Sequence, residues 1–245
     1  MQVYLADSRK EMGQIAGQDV VSLIHVLLQQ KDELNIMFAA APSQNDVLGE
    51  IMADETIDWT RINGFHMDEY IGLDAAAPQG FGNFLRERVF DLKPFKHVYY
   101  LDITAADADG EARRYEQILR EHPMDICILG VGENGHIAFN DPAEADFEDK
   151  RLVKPVHLDE RCRQQQVNDG CFKTLDDVPR TAMTVTIPGL LRAAAMFCVV
   201  PTKLKAEAVR NVLCGPVGVA CPASVLRTRG GVKFYADPDA ASLLP

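Results

Sequence analysis

Short apolar runs, each separated from the next by a stretch with helical periodicity, constrain this chain most. Ile36-Met37-Phe38-Ala39, Val98-Tyr99-Tyr100-Leu101, Ile126-Cys127-Ile128-Leu129, Phe197-Cys198-Val199-Val200 and Val232-Lys233-Phe234-Tyr235 are too brief to be helices. Uninterrupted apolar character at that length marks strands covered on both faces, which is the condition of a parallel sheet. Between them lie helical stretches. Residues 12–29 carry Ile15, Ala16, Val20, Leu23, Ile24, Leu27 and Leu28 on one face. Further helices are predicted over 44–53, 81–91, 111–121 and 203–213, with another strand ending near Phe65. The alternation predicts an α/β fold: a doubly wound, mostly parallel sheet with helices on both faces, Rossmann-like, in a single domain over 1–245. Thr184–Ile187 reads as a strand stopped by Pro188-Gly189, with a short helix over Leu190–Ala194. Gly215-Pro216 closes the 203–213 helix, the glycine supplying a left-handed cap. The stretch 140–180 is polar and least regular, and reads as a lid.

Charge narrows the partners. Thirty-six acidic against 25 basic residues give a net charge of −11. That balance excludes nucleic acid, whose binders need a basic footprint. A small anionic metabolite stays compatible, since a few local donors hold a phosphate. No run of 18 apolar residues exists, so no membrane association is expected. Asp7, Arg9, Lys10 and Glu11 stand where a signal peptide would need its apolar core, and the expectation is a soluble cytoplasmic protein. The six cysteines show no CxxC and no zinc spacing, and read as reduced and structural, with Cys171 in the most polar setting.

In open parallel sheets ligands gather at the carboxyl ends of the strands. Four such places carry unusual residues. Gly64–Leu73 sets Asp68 and Glu69 directly after a strand in an apolar, aromatic context, which suits a general base; a solvated turn or a cap for the next helix fits the spacing equally. Gly130–Pro142 holds Gly130, Gly132 and Gly135, but no helix follows to receive a pyrophosphate, so a dinucleotide site is not indicated. What remains there is His136 flanked by Asn134 and Asp141, a proton-transfer group with orienting partners or a structural histidine. Ala39–Asp46 joins a strand to a helix, where Ser43 and Gln44 are donors for an oxyanion or Ser43 is a plain N-cap. Lys203 and Lys205 open a helix against its dipole, which invites an anion unless they are merely solvated. Base, histidine and anion donors together suggest proton transfer on a small phosphorylated molecule.

These segments resemble the glucosamine-6-phosphate deaminases, within a superfamily that includes the 6-phosphogluconolactonases. Phe65–Leu73 resembles their FxMDEYxGL segment, Gly130–Pro142 their GxGxxGHIAFNEP loop, and Thr184–Leu191 their TxTIPxLL segment. Lys205–Val209 and Cys221–Leu226 resemble the C-terminal helix and closing motif. The resemblance implies conversion of an amino-sugar phosphate, glucosamine 6-phosphate or galactosamine 6-phosphate, with water to the ketose phosphate and ammonia. It implies that His136 opens the sugar ring, Asp68 carries the proton between C2 and C1, and Asp141 orients His136. Asn134 belongs with that catalytic group, while Ser43, Gln44, Gly135 and Lys205 bind substrate, Lys205 neutralising the phosphate. No metal or organic cofactor is implied.

The chain departs from that pattern at recognisable positions. Ala40-Ala41-Pro42 replaces a glycine-containing phosphate turn, and Pro42 has no N–H to give. Asp141 stands for a glutamate one methylene longer, and Asn134 for an aspartate of some relatives. The arginine of an NSRFF-like segment is missing from Val167–Phe172, leaving Arg161 and Arg163 as substitutes. The changes cluster at the phosphate and spare Asp68 and His136. A lactonase activating water with His136, and a non-catalytic sugar-phosphate binder, are the alternatives. The sequence leaves monomer and homo-oligomer open.

Overall fold

The computed structural model describes all residues 1–245. Seven strands build the main sheet: β1 (Gln2–Leu5), β2 (Leu34–Phe38), β3 (Ile62–His66), β5 (His97–Tyr99), β6 (Ile126–Leu129), β9 (Ala195–Val200) and β10 (Val232–Ala236). Their order is β1-β10-β9-β6-β2-β3-β5, and every neighbouring pair is parallel. A second sheet of three antiparallel strands, β4 (Asp68–Tyr70), β7 (Val153–His157) and β8 (Thr181–Val185), runs in the order β4-β8-β7. Helices α1 (Arg9–Leu28), α2 (Asn45–Ala53), α3 (Phe81–Leu85), α4 (Ala108–Glu121), α5 (Glu160–Asn168), α6 (Ile187–Leu190) and α7 (Ala206–Cys214) complete the fold.

The apolar runs bury both faces of the main sheet, as their composition requires. Along β6, Cys127 and Leu129 face one core while Ile126 and Ile128 face the other, and β9 alternates in the same way. The two cores are nearly equal, with 33 and 32 buried residues, so neither sheet face is left to solvent. One is covered by α4 and α7 through Tyr115, Leu119, Val209 and Val212; the other by α1 and α2 through Val20, Ile24, Leu48 and Ile51. Helix α1 starts three residues earlier than the apolar periodicity, because Ser8 accepts the N–H of Glu11 and fixes the first turn.

Several expectations need correction. The three-stranded sheet was not visible in the apolar pattern, since β4 is Asp-Glu-Tyr and β7 contains Lys154 and Pro155. The 140–180 stretch is therefore not irregular, because β7 and α5 lie within it. The short helix is α6, beginning at Ile187: Thr186 accepts the N–H of Gly189 and Pro188 occupies the first turn, where its missing N–H costs nothing. Gly215 is extended (φ −77°, ψ 177°) rather than left-handed; a Cβ there would lie 2.6 Å from the Asn211 carbonyl oxygen, so close approach is what demands glycine. The 81–91 helix is helical only to Leu85, then widens into a π-type turn over Arg86–Phe90.

The chain runs outward from β2 to β3 and β5, then returns to place β6 on the other side of β2. That reversal between β2 and β6 opens a crevice at the carboxyl ends of the strands. Ile128, fully buried on β6 beside Phe38 of β2, tests the core. Ile128→Ala is expected to cost about 2–5 kcal/mol and lower the thermal midpoint by roughly 5–15 °C, read by calorimetry.

Candidate active site

A cleft of about 480 Å³ occupies the crevice, lined by the segments after β2 (Ala39–Ala41, Ser43, Gln44), β3 (Met67, Asp68) and β6 (Gly130–Gly132). His136, Phe139 and the α5 residues Gln165 and Gln166 close it. Its place at the strand ends is where folds of this class take small ligands.

Asp68 reaches the cleft because the chain changes sheets at Met67. The Met67 carbonyl accepts the N–H of Val185 at 2.7 Å, and Asp68 pairs in register with Thr184 of β8. The two adjacent carboxylates then point to opposite faces of β4. Glu69 turns away and accepts the N–H groups of Phe81 (3.0 Å) and Gly82 (2.7 Å), holding the start of α3, and of Tyr70 (2.9 Å). The capping role belongs to Glu69. Asp68 has no hydrogen-bond partner, is 6% exposed, and lines the cleft; it is not a solvated turn residue. Burial, with the Glu69 charge beside it, raises the Asp68 carboxyl well above the usual range.

His136 is held by acceptors on one nitrogen only. Its Nδ1 lies 2.7 Å from Asn134 Oδ1 and 2.9 Å from Asp141 Oδ1. Two acceptors require the proton on Nδ1, which leaves Nε2 as the basic nitrogen. Asn134 is oriented unambiguously, since its Nδ2 donates to Asp141 (2.9 Å) and Asp159 (2.9 Å) while its Oδ1 also takes the His136 N–H (3.0 Å). Burial pushes Asp141 up, but hydrogen bonds from His136, Asn134 and the Asp159 N–H outweigh it and bring the carboxyl below its ordinary value. The shorter aspartate thus keeps its hold on the histidine. The ring lies against Gly132, where a Cβ would come within 2.1 Å of it. Gly135 turns the loop at φ +86° and its carbonyl accepts the Ala223 N–H, tying the loop to the Cys221–Leu226 segment.

The anion-directed residues divide. Ser43 is not an N-cap: it lies inside a 3₁₀ turn over Pro42–Gln44, and its hydroxyl accepts weakly from Gln44 at 3.3 Å. Gln44 is fully buried and donates to the Val199 carbonyl, locking this turn to β9. Lys205 is 3% exposed with no partner for its Nζ, and is not a solvated surface lysine. Burial lowers its pKa, opposed by the charges of Asp169 and Glu133. Thr202, three residues before it, sits at φ +81°, strained for a β-branched residue and held by Asp237, which accepts its N–H. Neither arginine substitute reaches the cleft. Arg161 pairs with Glu207 at 2.8 Å on the surface, and Arg163 is buried against the Leu175 and Val178 carbonyls.

Sequence reasoning missed Gln165 and Gln166, and with them Cys162, whose sulfur lies within 4.8 Å of the Asp141 carboxylate. Their only signal was polar residues at 162, 165 and 166 on one face of a short helix. The ligand atoms of His136, Asp141 and Cys162 lie within 4.8 Å of one another, a grouping invisible in the spacing. His136 and Asp141 already bond each other, so the cluster is a hydrogen-bonded network. All six cysteines are free; Cys171 is half-buried and Cys214 exposed. No helix is long and apolar enough to cross a membrane.

Comparison with known proteins gives the family. Residues 7–234 match the model of the family described as glucosamine-6-phosphate isomerases/6-phosphogluconolactonase. The chain belongs to this family. It is 35% identical over 212 residues to a glucosamine-6-phosphate deaminase of Listeria welshimeri, covering 86% of this chain and 88% of that protein. A deaminase of Lactobacillus delbrueckii subsp. bulgaricus is 35% identical over 206 residues, covering 84% and 86%. A solved monomeric glucosamine-6-phosphate deaminase superposes with a TM-score of 0.89 at 28% identity over 99% of this chain and 100% of that one. The 6-phosphogluconolactonase of Trypanosoma brucei shares the fold, with a TM-score of 0.80 at 20% identity over 100% of this chain and 98% of that one.

The buried carboxyl of Asp68 makes a stability prediction. An unfolded aspartate ionises near pH 4, about its ordinary value, whereas the folded one resists ionisation to higher pH. The folded chain is thus penalised progressively as pH rises above 4. Asp68→Asn is expected to melt a few degrees higher than wild type at pH 8 and to show no gain below pH 4. A variant that melts lower at pH 8 would mean that an unseen partner stabilises the carboxylate.

Proposed function

We propose that this protein is an amino-sugar-phosphate deaminase that converts glucosamine 6-phosphate, or its C4 epimer, and water into the ketose 6-phosphate and ammonia. The observation that carries the reading is the pair of free groups facing one cleft: an unpartnered Asp68 carboxylate and the available Nε2 of His136. In this mechanism His136 moves a proton between the ring oxygen and the C1 hydroxyl, opening the sugar. Its Nδ1–H, fixed by Asn134 and Asp141, keeps the reactive nitrogen aimed at substrate. Asp68 removes the C2 proton, giving an enolamine, and returns a proton to C1 on the same face. The resulting ketimine adds water and expels ammonia. A lactonase would need the histidine but no free carboxylate at Asp68, and the 35% identity to deaminases favours the deaminase.

The phosphate is assigned to Lys205 with the turn around Ser43 and Gln44. A buried ammonium with no partner is costly, and an arriving dianion would relieve it. Because Lys205 Nζ has no access to solvent, the 140–180 segment carrying α5 is proposed to act as the lid that opens to admit the anion. Cleavage of this segment by a protease at equal rates with and without saturating sugar phosphate would count against a lid.

Ammonia release from glucosamine 6-phosphate and galactosamine 6-phosphate tests the activity, with hydrolysis of 6-phosphogluconolactone run beside it. Asp68→Asn is expected to lose about 100-fold or more in kcat. Lys205→Met is expected to raise KM by roughly 10- to 150-fold, the worth of a charge-assisted contact. In wild type, kcat/KM should rise with pH through the elevated Asp68 pKa, since the base must be ionised. Lactone hydrolysis without ammonia release would replace this reading.

A further inference from the structure

The inward face of α5 is made of Cys162, Arg163, Gln165 and Gln166, all buried and mostly polar. Three have evident structural duties. The Cys162 sulfur packs within 4.8 Å of the Asp141 carboxylate, and Arg163 is spent on the carbonyls of Leu175 and Val178. Gln165 accepts the Glu133 N–H at 2.9 Å and donates to Asp169, clamping α5 to the glycine loop. Gln166, unlike Arg163 and Gln165, makes no side-chain hydrogen bond. It is 6% exposed, and it lines the cleft that holds Asp68 and His136.

We infer that Gln166 is a specificity-determining residue that reads a hydroxyl of the sugar, an inference resting on the deaminase reading above. A primary amide offers a donor and an acceptor side by side, and a hydroxyl satisfies both. A phosphate oxygen satisfies only the donor and is repelled by the amide oxygen. The charge distribution agrees: with Arg161 and Arg163 both engaged elsewhere, α5 presents no cation to the cleft. Recognition on this wall is therefore neutral and directional, and it favours discrimination between sugars that carry the same phosphate but differ in one hydroxyl. A buried amide left unpaired by the wrong epimer is the physical source of the discrimination.

The test compares wild type with Gln166→Leu and Gln166→Glu on glucosamine 6-phosphate and galactosamine 6-phosphate. Gln166→Leu is expected to lower kcat/KM for the preferred epimer by about tenfold or more and to bring the ratio between epimers toward one. Its thermal midpoint should stay near wild type, since no protein partner is lost. Gln166→Glu, which keeps the shape but loses the donor, should also erode the ratio. An unchanged epimer ratio in both variants overturns the inference, as does an equal rise in KM for both sugars, which would mark a phosphate contact. Should wild type release no ammonia from either sugar, the deaminase reading falls on its own. Stabilisation against heat by glucose 6-phosphate and by galactose 6-phosphate then decides the inference. A difference between the two that Gln166→Leu abolishes supports it; equal shifts, or none, overturn it.

Discussion

The hydrogen bond from the Val185 N–H to the Met67 carbonyl is the joint on which the site depends. A parallel sheet delivers its strand ends to one edge, but by itself it aims their side chains only along the pleat. At Met67 the chain leaves β3 and enters an antiparallel pairing with β8, so that the next residue is fixed from two directions at once. The Asp68 backbone is consequently held by pairing while its side chain makes no hydrogen bond. A loop residue could be positioned as well only by bonding its carboxylate, which would stabilise the ionised form and weaken the base. Backbone pairing keeps the carboxylate in place and chemically free.

The segments at the carboxyl ends of the strands thus carry two kinds of buried polar group, of which Asp68 and His136 line the cleft and Lys205 does not. Asn134, His136, Asp141 and Asp159 satisfy one another in a closed network, which makes their geometry stiff. Asp68 and Lys205 are buried without partners, and each destabilises the empty protein. The arrangement separates orientation from reactivity: the network sets which nitrogen of His136 is basic, and the unpaired charges are left for a ligand. The strained Thr202 fits the same division, since Asp237 holds it in place a turn before Lys205.

Much of the fold was legible because apolar runs buried on both faces have few alternatives; β6 falls on the very residues that the run marks out. The small sheet was not legible. Aspartate and glutamate are poor strand formers, and β4 is a strand only because β8 lies alongside it. The same tertiary dependence explains the site. That Asp68 and Glu69 diverge follows from strand alternation, which a turn reading hides. Ser43 failed as a cap because Pro42 begins a 3₁₀ turn one residue earlier. Arg163 looked available for an anion because carbonyls that occupy it, at Leu175 and Val178, leave no mark in the sequence.

The departures from the deaminase pattern gain a common physical meaning from these contacts. Replacing glutamate by Asp141 shortens a side chain, yet the network closes around it, because Asn134 bonds Asp141 and Asp159 together and the Asp159 N–H supports the second carboxylate oxygen. Asparagine at 134 is then a requirement of the design: an aspartate there would face two other carboxylates across 2.9 Å, a repulsion that burial amplifies. The proton-transfer network is thus internally compensated, and its substitutions depend on one another. Helix α5 has no such network: Arg161 and Arg163 are engaged elsewhere, and it presents no cation to the cleft. On the proposed reading the anionic end of the ligand then relies on Lys205, and its hydroxyls meet the neutral amides of Gln165 and Gln166. On that same reading, the departures leave Asp68 and the His136 network in place and fall on the groups assigned to the phosphate.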